Sequence, residues 1–170
     1  KVTGKVREVL IEEGQKVEAD EIVAYLDDTE AKTDEGLALA RLAAAKTATG
    51  EIRATLADAE RELARQQDMA ARKLSSQQAL DAARTQVDAL RARLANAQAQ
   101  VPVAERQLEA TRNQLANMVV RAPFAGVVTV KAAQPGEMIS PISAGGGFTR
   151  TGIGTIVDMD SLEVQVDVNE

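Results

Sequence analysis

The chain has 170 residues, a net charge of −6, 45% apolar and 27% charged residues, and only 2% aromatics. It contains no His and no Cys. That excludes an imidazole base, a thiol nucleophile, a disulfide and any His or Cys metal ligand, and the acidic balance argues against general nucleic-acid binding. No run of about 18 apolar residues occurs, so nothing in the chain reads as a membrane span. The first residue is not Met and no signal peptide is evident, so the sequence reads as a mature or trimmed chain. A core of this size normally leans on aromatics, and here only Tyr25, Phe124 and Phe148 are present. Together with abundant Ala, Leu, Arg, Gln and Glu, this points to helix-on-helix packing over much of the chain.

In chain order, residues 1–28 open with VTGKVREVLIEEGQKV, a β-rich run from Val6 to Ile11 followed by the turn dipeptide Glu13-Gly14. This stretch carries 4 basic and 8 acidic groups. Residues 29–118 carry 13 and 12 and have helical periodicity. Ala38, Leu42, Ala45, Thr49, Ile52, Leu56, Ala59, Leu63, Gln66 and Ala70 form one stripe. Leu80, Ala83, Val87, Leu90, Leu94, Ala97, Val101, Ala104, Leu108, Thr111, Leu115 and Met118 form a second. Both alternate spacings of three and four, the a/d seam of a coiled coil. The stripes break near Leu74-Ser75-Ser76. Ser75 with Gln78 reads as a capping box, Ser76 as another N-cap, and Asp27 with Glu30 as a second capping box. Helix 1 is therefore expected over about 29–72, a tip over 73–76, and helix 2 over about 77–117. Each arm is roughly 60 Å long, and so short a loop forces them antiparallel. Pro102 lies inside helix 2, where a kink is expected, and Gly50 lies in helix 1 at nearly the same height.

Residues 119–160 return to β character with FAGVVTVKAAQPGEMI. At an offset of 122, Gly4 aligns with Gly126, Val6 with Val128, Gly14 with Gly136 and Val17 with Ile139. Each copy is too small to bury a core alone, so the two are expected to pair across a pseudo-two-fold. This part carries the glycine run Gly145-Gly146-Gly147, which lacks the Lys and Ser/Thr of a phosphate loop and reads as a flexible connection. In residues 161–170, Leu162 to Val168 alternate apolar and polar, as the first strand of a further, truncated β-domain would.

A β-domain split by a long helical hairpin, with Arg121-Ala122-Pro123 and Gly126 forming an A-P-x-x-G element, resembles the periplasmic adaptor subunits, or membrane fusion proteins, of Gram-negative tripartite efflux and type I secretion systems. The segment IVDMDSLEVQVDVNE resembles the family's exit into a β-barrel. The resemblance covers essentially the whole chain. It implies an α+β fold: an antiparallel coiled-coil hairpin inserted between the two halves of a lipoyl-like β-sandwich. It implies a non-enzymatic role in exporting small molecules or peptides, with no cofactor and no metal. The implied partners are a TolC-like outer-membrane channel, an inner-membrane transporter (ABC or RND) and further copies of the chain, usually six. The implied place is the periplasm, anchored to the inner membrane by a segment outside this sequence. The family's tip pattern falls on Arg65, Met69 and Ser76, with Met where Leu is usual and Ser75 where an apolar residue is usual. A funnel-lining Gln of some relatives falls one position from Gln134.

Taken singly, Arg65 also fits a solvated helix face, Met69 the seam and Ser76 a cap. The competing function is a carrier domain with a lipoylated or biotinylated Lys, for which Lys32 is the nearest residue to the junction of the halves. An enzyme is the third reading. The adjacent carboxylates Glu12-Glu13 and Asp27-Asp28 do not make an acid/base pair, because neighbours on a strand face opposite ways.

Overall fold

A computed structural model of the chain describes residues 3–140, 149–150 and 152–159. The elements are β1 (Gly4–Val9), β2 (Lys16–Val17), β3 (Ile22–Leu26), α1 (Thr29–Ala71), α2 (Gln77–Ala116), β4 (Val119–Arg121), β5 (Gly126–Lys131), β6 (Met138–Ile139), β7 (Thr149–Arg150) and β8 (Gly154–Val157). They divide into two compact units. One comprises the residues up to Lys32 and from Arg112 onward, and the other Thr33–Thr111. The expected glycine-run loop at Gly145-Gly146-Gly147 and the expected strand from Leu162 to Val168 lie outside the described residues.

The first unit is a sandwich of a five-stranded sheet, in the order β4-β3-β1-β6-β7, and a three-stranded sheet, β2-β5-β8. The repeat read in the sequence is also a repeat of contacts. β1 meets β6 antiparallel with Gly4 opposite Ile139 and Lys5 opposite Met138. At the 122-residue offset, β5 meets β2 with Gly126 opposite Val17 and Val127 opposite Lys16. Each half thus supplies the partner strand of the other, the exchange that a pseudo-two-fold requires. The turn hydrogen bonds obey it too. Gly14 N–H donates to Val128 O and Gly136 N–H to Val6 O, both at 2.8 Å. Both glycines have left-handed backbone, φ +83° and +92°, which a Cβ disfavours. The shared core joins Val6, Ile11, Val17, Val23 and Leu26 to Val128, Ala133, Ile139 and Ile153, with Met118 buried among them and Leu115 against its edge.

Beyond the second turn the offset changes. β3 sits on β1 with Val9 opposite Ala24 and Val6 opposite Leu26. β8 sits on β5 with Lys131 opposite Gly154 and Val128 opposite Ile156. The match is now at 130 residues for the outer strand, so the second copy is longer by eight residues between β6 and β8.

The second unit is the hairpin. The ten positions of the second stripe from Leu80 to Thr111 are buried or half-buried, and every other residue from 81 to 110 is exposed. The densest part of the seam clusters Leu56, Val87 and Leu90 with Ala59, Leu63 and Leu94. The ion pairs Glu60–Arg91 at 2.8 Å and Lys46–Glu105 at 3.3 Å cross between the helices, in the constant register of an antiparallel pair. The polar seam members bond their own helix: Thr49 Oγ1 donates to Ala45 O and Thr111 Oγ1 to Leu108 O, each at 2.9 Å. α2 runs unbroken through Pro102, which is exposed and off the seam. Among the described residues no helix is long and apolar enough to cross a membrane.

Candidate functional site

The tip is where the sequence placed contact residues, and its geometry is set by two helix ends. α1 stops in a Schellman turn. Leu74 N–H donates to Met69 O at 2.8 Å and Lys73 N–H to Ala70 O at 2.9 Å. Such a turn needs one left-handed residue, usually Gly; here it is Lys73, at φ +60°. α2 starts at Gln77, so its N-cap is Ser76, whose Oγ accepts the Ala79 N–H at 3.2 Å. The expected Ser75–Gln78 capping box does not form, because Ser75 is one residue too early for this helix start. Ser75 Oγ instead donates to Gln66 Oε1 at 2.7 Å and ties the loop back to α1.

That bond is the first link of a chain. Gln66 Nε2 donates to Glu62 Oε1 at 2.8 Å. Glu62 Oε2 accepts from Arg65 Nε at 3.0 Å and Nη2 at 2.5 Å. The Gln66 amide first, and then the Arg65 guanidinium, hold the Glu62 carboxyl below its ordinary pKa. Arg65 is exposed and keeps further N–H donors beyond those spent on Glu62. Met69 is half-buried, and Ser76 is exposed but spends one lone pair on its cap. The three residues of the expected tip pattern therefore lie within one turn-and-cap assembly, each with a local role already. Sequence reading missed Gln66 and Glu62 as the supports of Arg65. A signal was available: Gln66 is a polar entry in an apolar stripe, one turn before the stripe ends.

Along the hairpin, residues 41–111 match the protein family described as "RND MFP, alpha-helical hairpin domain". Solved membrane fusion proteins share this chain's fold. MacA from Actinobacillus actinomycetemcomitans superposes with a TM-score of 0.84 at 18% identity, over 94% of this chain and 48% of that one. The membrane fusion protein Spr0693 from Streptococcus pneumoniae R6 gives 0.57 at 21% identity, over 77% of this chain and 49% of that one. A MacA-MexA chimera with the Pseudomonas aeruginosa MexA alpha-hairpin domain gives 0.55 at 19% identity, over 92% and 44%. This chain thus spans about half the length of those structures. No curated protein matches it by sequence.

The other expected residues lie in the sandwich. Gln134 is exposed in the turn Gln134-Pro135-Gly136-Glu137, closed by Glu137 N–H to Gln134 O at 3.2 Å. Glu137 Oε2 accepts the Gln134 N–H at 2.9 Å. At the 122-residue offset Gln15 Oε1 accepts the Glu12 N–H, also at 2.9 Å, so the turns are copies. The adjacent carboxylates prove structural. Glu12 and Glu13 lie in the turn after β1, not on it, and both reach Lys131: Nζ donates to Glu12 at 2.9 Å and the backbone N–H to Glu13 at 3.0 Å. Opposite-facing strand neighbours were the wrong picture, since a turn lets successive side chains converge.

At the base of α1, Asp27 Oδ1 accepts the Thr29 hydroxyl and N–H at 2.7 and 3.1 Å, in place of the expected Glu30 N–H. These bonds hold its pKa low. Asp28 is held low chiefly by Lys32, its partner at 2.9 Å, with Arg7 at 3.5 Å. Lys32 lies within α1, not at an exposed turn, which removes the feature that a swinging-arm carrier needs. Among the described residues no group of three or more His, Cys, Asp or Glu is placed to hold a metal ion.

Proposed function

We propose that this chain is the sandwich-and-hairpin part of a periplasmic adaptor. It links an inner-membrane transporter, of the ABC or RND type, to a TolC-like outer-membrane channel for export of small molecules or peptides. Several copies, six in the family's usual arrangement, form the conduit, and the hairpin tips meet the channel. A segment outside this sequence anchors the whole protein to the inner membrane. The protein turns over nothing itself; its work is to bridge and seal.

The observation that carries this reading is the conjunction of two elements. A membrane fusion protein hairpin interrupts a sandwich made of two paired half-repeats, and that hairpin ends in a tip held by its own hydrogen-bond chain. In this reading Arg65 offers its unspent N–H donors to a carboxylate or carbonyl of the channel, Met69 backs the contact, and Ser76 offers its hydroxyl. Gln134, exposed on its turn, faces the conduit.

The test is complementation of an efflux-deficient strain by the full-length protein. Arg65→Ala and Ser76→Ala should lower drug tolerance while circular dichroism shows unchanged helicity. Ser76→Ala also removes a cap worth about 1 kcal/mol. Ser76→Asp keeps a capping oxygen but removes the hydroxyl donor, and so separates the two roles. Full complementation by Arg65→Ala and Ser76→Asp would remove the tip from the mechanism.

A further inference from the structure

The seam of the hairpin changes character along its length. Toward the tip it is the apolar cluster of Leu56, Val87 and Leu90 with Leu63 and Leu94. Toward the sandwich, Ala38, Ala45 and Thr49 on α1 and Ala104 and Thr111 on α2 alternate with larger members. Between the two parts, several local weaknesses fall at one level. Pro102 has no N–H to donate to the Gln98 carbonyl, so α2 continues through a gap in its hydrogen-bond ladder. Gly50 gives α1 a backbone without side-chain restraint, and nothing lies within 4 Å of a Cβ built on it. The buried Thr49 donates its hydroxyl to Ala45 O at 2.9 Å, a back-bond of the kind that bends helices.

The cross-links between the helices thin at the same level. The register that joins Glu60 to Arg91 and Lys46 to Glu105 sets Arg53 opposite Gln98, midway between the two pairs. Arg53 has no ion-pair partner among the described residues. A groove of about 410 Å³ lies here, with Lys46, Thr49, Gly50, Arg53, Gln98 and Pro102 among its walls.

A helix pair resists bending through the ladder of each helix, the packing of the seam and the links across it. Weak points at separate heights would leave the pair stiff, because each intact helix would splint the other. Here they coincide. Gly50 and Pro102 also line one groove, so the soft points of the two helices face the same way. That confines bending to one plane, because the proline ring crowds the Gln98 carbonyl and tilts α2 away from the side that carries it.

We propose that the hairpin is a jointed arm, with a hinge at residues 49–53 and 98–102 that lets the tip segment swing in one plane relative to the segment nearest the sandwich. About 25 residues of each helix lie beyond the hinge, so a swing of about 20° carries the tip by about 13 Å. The hinge stands on the hairpin alone. Its use, re-aiming the tip while the base keeps its place, rests on the adaptor reading.

The experiment uses the full-length protein with spin labels on Ala43→Cys and Ala64→Cys. Both positions are exposed, on opposite sides of Gly50 and three heptads apart on one face of α1. Double electron–electron resonance should give a distance distribution broader than a rigid helix allows. Gly50→Ala combined with Pro102→Ala should narrow it to about half, since both restore ordinary helix backbone. Gln98→Glu gives Arg53 a carboxylate across the groove and should narrow it too. Raising salt to about 1 M should undo the second narrowing and not the first. Complementation of an efflux-deficient strain by the alanine pair should fall several-fold, with helicity no lower than in wild type. An unchanged distribution in both variants would overturn the hinge. A narrowed distribution with full complementation would overturn its assigned use. Narrowing in the variants of a wild type that itself fails to complement would strike the adaptor reading and leave the hinge in place.

Discussion

The sandwich and the hairpin bury their residues in different ways, and the same substitution should have opposite signs in them. The sandwich closes a three-dimensional core in which Val6, Ile11, Leu26 and Val128 are at most 2% exposed and glycines sit where chains nearly touch. A Cβ on Gly126 would lie 2.5 Å from Val157 O. The hairpin buries one stripe per helix. Its Gly50 has nothing within 4 Å of a built Cβ. Two helices alone leave most of their surface in water, so their glycines meet no wall and their ion pairs stay exposed and weak. The sandwich is a packing problem; the hairpin is closer to a propensity problem with a seam.

The largest test of that contrast is Gly126→Ala. Backbone stands in the way and cannot move aside as a flexible side chain would, so the cost should be about 3 kcal/mol in urea unfolding. A loss below about 1 kcal/mol would show that β5 and β8 separate readily. Next is Leu90→Ala in the densest part of the seam, with an expected loss of about 2 kcal/mol, the low end for a buried leucine because the site is close to solvent. Smaller and of opposite sign is Gly50→Ala, which should stabilise by about 1 kcal/mol by removing a flexible residue from a helix interior. A neutral or destabilising result would indicate that Gly50 is needed for a bend opposite Pro102. The smallest effect is that of pH. Asp27, Asp28 and Glu62 have lowered pKa values in the folded chain. Their support is therefore complete above the ordinary carboxylate range and is lost as pH falls through and below it. Urea midpoints measured from pH 7 down to 3 should show a modest decline confined to the acid end. Glu62→Gln should reduce that decline.

Much of this was legible beforehand because each pattern reports a local rule. The spacing from Leu80 to Thr111 named the buried face of α2 residue by residue, since a helix with one partner has one apolar stripe. The matched pairs Gly4/Gly126 and Gly14/Gly136 pointed to two halves, because turns and close approaches each demand the smallest residue. The tip was less legible. Which serine caps α2 depends on where the helix begins, and two serines in a row left that open. Ser75 found its partner in Gln66, nine residues away on the other helix. Glu12 and Glu13 converge on Lys131 through the folding of one half-repeat onto the other.

The sequence by itself determined the periodicities: two helices with facing stripes, two half-repeats with turns at fixed offsets, and a break between the helices near residue 74. These follow from local backbone preference and the burial of one apolar face. Tertiary structure alone decided that each half-repeat completes the sheet of the other, that Gln66 and Glu62 position Arg65, and that Leu74 stands in water at the end of the hairpin. Those depend on which distant backbone and side chains arrive at the same point, and exposure of an apolar residue is a property of the assembled surface, which no local pattern encodes.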